Sequence, residues 1–253
     1  MDFIAMPRLG VVVPPENPTA EPEFNRLAGS AAHVYAARFP ATAANGLHAT
    51  LESWNEALPG TLAQFGGMRL DAAVVACSAS HYLLSPHGDR AFCDRLSRHT
   101  GFPVQSSTQA ILAACEALDV RRLTLVSPYE PWLTETSRTF WRQAGLDVAG
   151  VVRVPAGDRF DPYRVTTADI LAQVGRHRLD DDAALLFTGT GMATLPAMRA
   201  LAEHTDQVLL SSNLAAAWWA LRVLGKEADH PLLRRLATPS AVAAGSSQPR
   251  PNW

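Results

Sequence analysis

The fold is decided by the stretch Asp71-Ala72-Ala73-Val74-Val75-Ala76-Cys77-Ser78-Ala79-Ser80-His81, in which an apolar run gives way to small polar residues. A short apolar run of this kind predicts a strand buried in a parallel sheet, here residues 72–76. Cys77 then stands at the carboxyl end of the strand, where open α/β sheets bind their ligands. Helical turns after it would bring backbone N–H groups that lower its pKa. The position suits a nucleophile or a proton donor, and it equally suits a small buried residue that ends a strand.

Short apolar runs alternate with longer amphipathic runs on both sides of this stretch. The alternation is typical of parallel strands joined by right-handed helical crossovers, so we predict an α/β fold. The predicted strands are residues 9–13, 72–76, 103–106, 123–127, 148–154, 184–187 and 207–210. The predicted helices are residues 22–38, 50–65, 89–99, 108–118, 130–143, 166–174, 194–204 and 214–224.

The order of elements in the first half of the chain recurs in the second half, and 253 residues suit two compact domains. We place the first domain at residues 1–117 with 213–237 and the second at residues 118–212. Trp218 and Trp219 of the last predicted helix are expected to cover a sheet or the seam between the domains. Residues 238–253 mix Ser, Gly, Pro and Gln without periodicity, which predicts a flexible tail.

Composition excludes several classes of function. The net charge is −2 with interspersed signs, and no apolar run is long enough to span a bilayer, so neither nucleic acid nor a membrane is an expected partner. Lys226 is the one lysine, which disfavours pyridoxal phosphate and a phosphate-loop lysine. The start of the chain lacks the order of a signal peptide, and Cys77, Cys93 and Cys115 are too few for a disulfide framework. A cytoplasmic location is therefore expected.

Further polar residues follow predicted strands at the same rim. Asn17 lies in a proline-rich loop after the first strand, where its amide binds a carboxylate or simply closes a turn. Tyr129 follows strand 123–127 and either donates to a substrate oxygen or packs with its hydroxyl at the surface. The segment Thr188-Gly189-Thr190-Gly191 follows strand 184–187, and its glycines allow an anion close to the backbone.

Other motifs are weaker. The segment around Gly189 lacks the third glycine of a dinucleotide fingerprint, and no Gly-x-Ser-x-Gly elbow marks a hydrolase. The eight histidines show no metal-ligand spacing, so no metal is predicted. His81 is read either as a base near Cys77 or as a core or surface histidine, and Cys93 and Cys115 are read as core residues.

Together these segments resemble the maleate cis–trans isomerase and arylmalonate decarboxylase branch of the Asp/Glu racemase superfamily, over about residues 8–225. Residues 9–17 with 21–24 resemble the start of the isomerases, including their substrate-binding asparagine. Residues 76–80 resemble the first cysteine motif, and 125–129 the segment with the substrate tyrosine. Residues 194–197 and 210–213 resemble the closing motifs of both enzymes.

The resemblance implies two pseudo-symmetric α/β domains, each with a roughly four-stranded parallel sheet, and an active site in the cleft between them. It also implies an enzyme without a metal or organic cofactor, a small carboxylate or dicarboxylate as substrate, and a homo-oligomer. The catalytic residue it implies is Cys77. The residues it implies for substrate binding are Asn17, Ser78, Ala79, Tyr129, Gly189 and Thr190.

Gly189 departs from the family pattern, because the resemblance places it where a second catalytic cysteine belongs. Racemases of this fold hold one thiol on each face of the substrate, and the alcohols of Thr188 and Thr190 are too weakly acidic to replace a thiol, so racemisation is disfavoured. Cys77 alone suffices for cis–trans isomerisation through an adduct, our first hypothesis because the Asn17 segment matches the isomerases better. It also suffices to protonate the enolate left by decarboxylation of a malonate. An Asp/Glu-type racemase and a degenerate carboxylate-binding protein are the remaining alternatives.

Overall fold

The structure is a computed structural model and describes residues 3–42, 45–155, 161–227 and 229–237. These residues form two four-stranded sheets whose paired strands are all parallel. The described strands are β1 Arg8–Val13, β2 His33–Arg38, β3 Ala72–Val75, β4 Val104–Ser106, β5 Arg122–Ser127, β6 Asp147–Arg153, β7 Ala184–Phe187 and β8 Leu209–Ser211. The described α-helices are α1 Ala20–Ala28, α2 Leu47–Ala63, α3 Ser78–Tyr82, α4 Ser85–Thr100, α5 Ser107–Ala117, α6 Pro131–Gln143, α7 Thr167–Arg176, α8 Leu195–Ala202, α9 Ser212–Val223 and α10 Pro231–Ala237.

Both sheets have the same strand order, β2-β1-β3-β4 in the first and β6-β5-β7-β8 in the second. The prediction of two pseudo-symmetric four-stranded parallel sheets flanked by helices is confirmed. In each sheet the chain leaves its first strand toward one edge and later returns to build toward the other. This reversal opens one crevice in each sheet, at the carboxyl ends of its two central strands. The central strands are β1 and β3 in the first sheet and β5 and β7 in the second.

The central strands are apolar on both faces because helices cover both faces of a parallel sheet. Strand β3 is buried at every residue, and so is β7. Packing beside β1 is so close that a Cβ at Gly10 would come within 2.6 Å of Leu70 Cδ1. Tight packing of this kind fixes the positions of the strand ends, from which the candidate site is built.

One predicted element was wrong. Residues 22–38 do not form a single helix, because α1 ends at Ala28, the chain turns at Gly29 with a φ of 52°, and β2 follows. Strand β2 lies at the edge of its sheet and is only partly buried, so it lacks the continuous apolar run of a central strand. The short helices α3 and α10 were not predicted, and the other predicted elements are present with ends that differ by at most four residues.

Helix α9 packs against α1, α5 and β3. Its Trp218 is buried, with the guanidinium carbon of Arg222 at 4.9 Å from the ring centre. These contacts support placing α9 with the first half, while the domain boundaries themselves stay a prediction. The predicted tail, residues 238–253, lies outside the described residues. Among the helices of the described ranges, none has both the length and the apolar character needed to cross a bilayer.

Candidate active site

Cys77 lies at the junction of β3 and α3, where it is the N-cap residue of the helix. Its side chain is only 3% exposed. Burial raises the pKa of the thiol, and the Ser80 hydroxyl with the N–H groups of Ser80 and Ala79 offsets only part of that rise. The expectation that these N–H groups would leave the pKa lowered was wrong, because burial outweighs them. At neutral pH the group is therefore a thiol, which carries a proton that it can donate and is not the thiolate that attacks as a nucleophile.

Asn17 and Thr190 join the two halves of the molecule beside this thiol. Asn17 Nδ2 donates to Thr190 Oγ1 at 3.1 Å, and Thr190 Oγ1 donates to the carbonyl of Ala76 at 2.7 Å. Asn17 Oδ1 accepts the backbone N–H groups of Thr19 and Ala20 at 2.9 and 3.0 Å. Asn17 therefore closes a turn with its oxygen, while its NH₂ group points across to the second half.

Ser78, the first residue of α3, is held by two other helix starts. Its Oγ lies 2.9 Å from Ser107 Oγ of α5 and 2.9 Å from Ser212 Oγ of α9. All three side chains are buried. The hydroxyl of Ser78 thus fixes the start of α3 in place, and its predicted contact with a substrate stays a prediction.

Tyr129 and Gly189 follow the two central strands of the second sheet and lie against each other. A Cβ at Gly189 would come within 3.2 Å of Tyr129 Oη and 3.3 Å of Pro128 Cγ. Burial raises the pKa of Tyr129 well above its usual value, and the nearby Tyr82 and Cys77 raise it further. Tyr129 is therefore a neutral hydroxyl near Cys77, and it fills the space that a side chain at position 189 would need.

We expect that Gly189→Cys does not create a two-thiol racemase. The glycine has a φ of 87°, a conformation that costs a residue with a Cβ roughly 1–3 kcal/mol, and the new Cβ would press on Tyr129. Urea unfolding should show that loss for Gly189→Cys, and a similar loss for Gly189→Ala, which adds the same Cβ without a thiol. A Gly189→Cys protein with the stability of the parent that racemises aspartate or glutamate would contradict this prediction.

Glu23, to which the sequence analysis gave no separate role, links α1 to the second half. Its Oε1 accepts the N–H groups of Thr194 and Leu195, at the start of α8, at 2.8 and 3.1 Å. Its Oε2 accepts Asn213 Nδ2 at 2.8 Å, and the same nitrogen donates to the carbonyl of Thr190 at 3.0 Å. Burial raises the pKa of Glu23, and these donors oppose the rise. The carboxylate thus holds the loop between β7 and α8 against the first half.

His81 pairs with Asp89. The alternative prediction, that His81 acts as a base for the Cys77 thiol, is therefore not supported. His81 Nδ1 lies 2.6 Å from Asp89 Oδ1, and Asp89 Oδ2 accepts the hydroxyls of Ser106 and Thr108 at 2.9 and 2.5 Å. Burial alone would raise the pKa of Asp89, but His81 and these hydroxyls outweigh it and the pKa is lowered. Cys93 Sγ lies 3.6 Å from Asp89 Oδ1. This buried network fastens α3 to α4, β4 and α5.

His81, Asp89 and Cys93 are also residue types that bind metals, and their ligand atoms lie within 4.8 Å of one another. Burial and the neighbouring Asp89 raise the pKa of Cys93, so its sulfur is a thiol that packs in this network. Cys115 is likewise buried, and burial raises its pKa to about 12. The core reading of Cys93 and Cys115 agrees with the structure.

The candidate site is closed in this structure, since Asn17, Cys77, Tyr129 and Thr190 are all buried. Two surface cavities of about 300 and 420 Å³ lie elsewhere and are lined by none of the predicted site residues. A substrate therefore reaches Cys77 only after the surrounding loops have moved.

Two parallel sheets of one strand order, with a cysteine at the crevice of the first and hydroxyl groups at that of the second, define an α/β protein of the Asp/Glu racemase-like class. Within this class, the family model described as arylmalonate decarboxylase matches residues 9–237, and the chain belongs to that family.

Relatives of both expected kinds are found. The chain is 29% identical over 131 residues to an arylmalonate decarboxylase of Bordetella bronchiseptica, covering 50% of this chain and 53% of that protein. It is 23% identical over 130 residues to a maleate isomerase of Alcaligenes faecalis, covering 51% of each. The matches thus span about half the length of these curated relatives. The expectation of an isomerase or a decarboxylase agrees with both.

A solved structure shows that the likeness in fold extends further. It is a cysteine-to-serine variant of the Nocardia farcinica maleate cis-trans isomerase with a covalently bound succinylcysteine intermediate. Its TM-score is 0.81 at 22% identity, over 92% of this chain and 98% of that one. At this identity the likeness supports the fold alone.

Proposed function

We propose that the protein is a cofactor-independent decarboxylase of malonate-type acids, in which Cys77 is the proton donor. The observation that carries the proposal is a single buried thiol at the end of β3, next to the point where Asn17 and Thr190 join the two halves, with burial holding it in the S–H form. A protonated thiol can deliver a proton to an enediolate, whereas addition to a double bond requires the thiolate. This places decarboxylation ahead of isomerisation, which is the reverse of the order suggested by the sequence.

The reaction needs one sulfur and several neutral donors. One carboxylate of the malonate leaves as CO₂, and the electrons of the broken carbon–carbon bond form an enediolate with the remaining carboxylate. Donors at Asn17, Tyr129 and the Thr190 backbone stabilise that charge, most strongly in a site without water. The Cys77 S–H then protonates the carbon, and the thiolate regains its proton from solvent. The raised pKa of Tyr129 keeps its hydroxyl protonated and able to donate.

The surroundings support this reaction. Tyr82 packs edge to face against Phe140 and Trp141, with ring centres 5.4 and 5.7 Å apart, and against Tyr129 at 6.4 Å. A closed, largely aromatic environment solvates a localised carboxylate poorly. It therefore favours the change from that carboxylate to CO₂ and a delocalised enediolate.

Cis–trans isomerisation is the second candidate. It is favoured by Asn17, whose NH₂ group faces the second half where a second carboxylate of a dicarboxylate would need a donor. The Cys77 thiolate would add to one alkene carbon, the new single bond would rotate, and the thiolate would leave. The relative from Nocardia farcinica holds a succinylcysteine although one of its cysteines is serine. In this chain the thiolate would have to form against the effect of burial.

Incubation in D₂O with methylphenylmalonate, maleate, and single enantiomers of aspartate and glutamate separates the candidates. We expect one enantiomer of 2-phenylpropionate with deuterium on the α carbon, as delivery from Cys77 alone requires. Unlabelled fumarate would establish the isomerase instead, and racemised amino acid would refute the argument from Gly189. Absence of turnover with all of these substrates would favour a carboxylate-binding protein.

A further inference from the structure

Two buried donors near Cys77 lack an acceptor. Among the described residues, neither the Tyr82 hydroxyl nor the Trp141 indole N–H has a hydrogen-bond partner. Both side chains are buried. A buried donor left unpaired costs about 1–3 kcal/mol. Eight buried side-chain atoms of the described residues lack a partner, and two of them belong to this contacting pair. Two such donors in contacting side chains therefore call for a physical explanation.

The pair belongs to the surroundings of the site thiol. Tyr82 is the last residue of α3, the helix that begins after Cys77. Burial raises the pKa of Tyr82. Polar contacts with Ser78 and Trp141, which fall short of ordinary hydrogen-bond geometry, oppose that rise, and the nearby Cys77 adds to it. The Tyr82 ring also lies edge to face with that of Tyr129, at 6.4 Å between centres. The two donors are therefore grouped with the thiol and the tyrosine that we assign to catalysis.

The hydroxyl of the neighbouring Ser78, unlike the donors of Tyr82 and Trp141, has hydrogen-bond partners. Ser78 Oγ has partners in both Ser107 and Ser212 at 2.9 Å, so it has little capacity left for the Tyr82 hydroxyl. An indole N–H only donates, and a phenol can donate or accept. Since neither group has a hydrogen bond of ordinary geometry, one added acceptor would satisfy both donors. A carboxylate oxygen has two lone pairs and accepts two donors at once.

We propose that the Tyr82 hydroxyl and the Trp141 indole N–H bind a carboxylate oxygen of the substrate. The inference rests on the proposed function, where that oxygen belongs to the carboxylate that is retained and gains charge as CO₂ leaves. Two neutral donors, one on α3 and one on α6, would complement those of Asn17 and Tyr129. Donors that are held in place before the substrate arrives need no reorganisation when the charge develops.

Tyr82→Phe is the decisive variant, because in the free protein the hydroxyl makes no hydrogen bond of ordinary geometry that the substitution would remove. Its removal should leave the urea midpoint unchanged or raised, so a loss of affinity cannot come from unfolding. Calorimetry with 2-phenylpropionate and with maleate, in a Cys77→Ala background that prevents proton delivery, should show Kd increased about tenfold or more. Trp141→Phe should weaken binding in the same way. Tyr163→Phe, which removes an exposed hydroxyl, should change neither quantity.

The outcomes separate this inference from the proposed function. An unchanged Kd for both carboxylates, or a lowered urea midpoint with unchanged Kd, would overturn the donor pair and leave the decarboxylase standing. The parent protein, which keeps Cys77, is assayed separately for turnover of methylphenylmalonate. If it shows none while Kd in the Cys77→Ala background still depends on Tyr82, the donor pair is supported and the proposed function is overturned. Failure of both carboxylates to bind with Tyr82 in place would overturn the donor pair, and the proposed function would then be decided by turnover of methylphenylmalonate alone.

Discussion

Cys77→Ser is expected to lower turnover by roughly a thousandfold while leaving the fold intact. A serine hydroxyl nearly matches the thiol in size, but it is a far weaker acid, so it cannot supply the proton that the enediolate requires. The measurement is kcat/KM for methylphenylmalonate together with urea unfolding, in which the free energy should change by about 1 kcal/mol or less. Cys115→Ser is the matched control, since it alters a buried thiol away from the site and should cost stability but not turnover.

The pH dependence of the same reaction tests which form of Cys77 acts. Burial raises the pKa of the thiol, so the S–H form persists to higher pH than in an ordinary cysteine. Decarboxylation should therefore stay constant through neutral pH and fall once the pH exceeds the raised pKa, whereas isomerisation by the thiolate should rise over the same interval. A rate that increases with pH, or a Cys77→Ser protein as active as its parent, is incompatible with a proton-donating thiol.

The fold followed from the sequence because central parallel strands are buried on both faces and appear as unbroken apolar runs. Strands β3 and β7 have this pattern, and both were predicted. Strand β2 lacks an unbroken apolar run, because it lies at the edge of its sheet and contains exposed residues such as Arg38. Its partial periodicity then continued that of α1, and the two elements merged into one predicted helix.

The parts of the site that follow strands were predictable for the same reason. Asn17, Cys77 and Tyr129 come directly after strands whose carboxyl ends meet at a crevice, so their sequence positions already indicate a ligand site. Tyr82 and Trp141 carry no such signal, because only the packing of α3 against α6 places their donors together. The missing acceptor is a property of the folded chain that no local pattern contains.

Glu23 shows the same limit in the contact between the halves. Its partner Asn213 is 190 residues away in the chain, and an acidic residue on the first turn of α1 reads as an ordinary exposed helix start. The structure instead uses the charge to satisfy the N–H groups at the start of α8, in the second half. Together with Asn17 and the Thr190 hydroxyl, this carboxylate thereby sets where the loop after β7 lies relative to Cys77.

Glu23→Ala is expected to cost about 3–5 kcal/mol of stability, because it leaves two backbone N–H groups and one of the two N–H groups of the Asn213 amide without an acceptor in the interior. Glu23→Gln keeps the volume and one acceptor but sets its NH₂ group against that of Asn213, and should cost about 1–3 kcal/mol. The matched control is Glu21→Gln, which removes only the surface ion pair with Arg38 and should cost at most about 1 kcal/mol. Urea unfolding at neutral pH measures all three.

The difference in free energy of unfolding between the parent and Glu23→Gln should change with pH in one direction. Since the folded protein raises the pKa of Glu23 above 4.5, the folded state holds this proton more tightly than the unfolded chain does. Its contribution to stability is fully present below pH 4.5 and declines as the pH rises through the raised value. The stability advantage of the parent over Glu23→Gln should therefore narrow as the pH rises. An advantage that widens with pH would mean that the hydrogen bonds outweigh burial and that the folded protein lowers this pKa. No advantage at any pH would mean that Glu23 does not hold the two halves together.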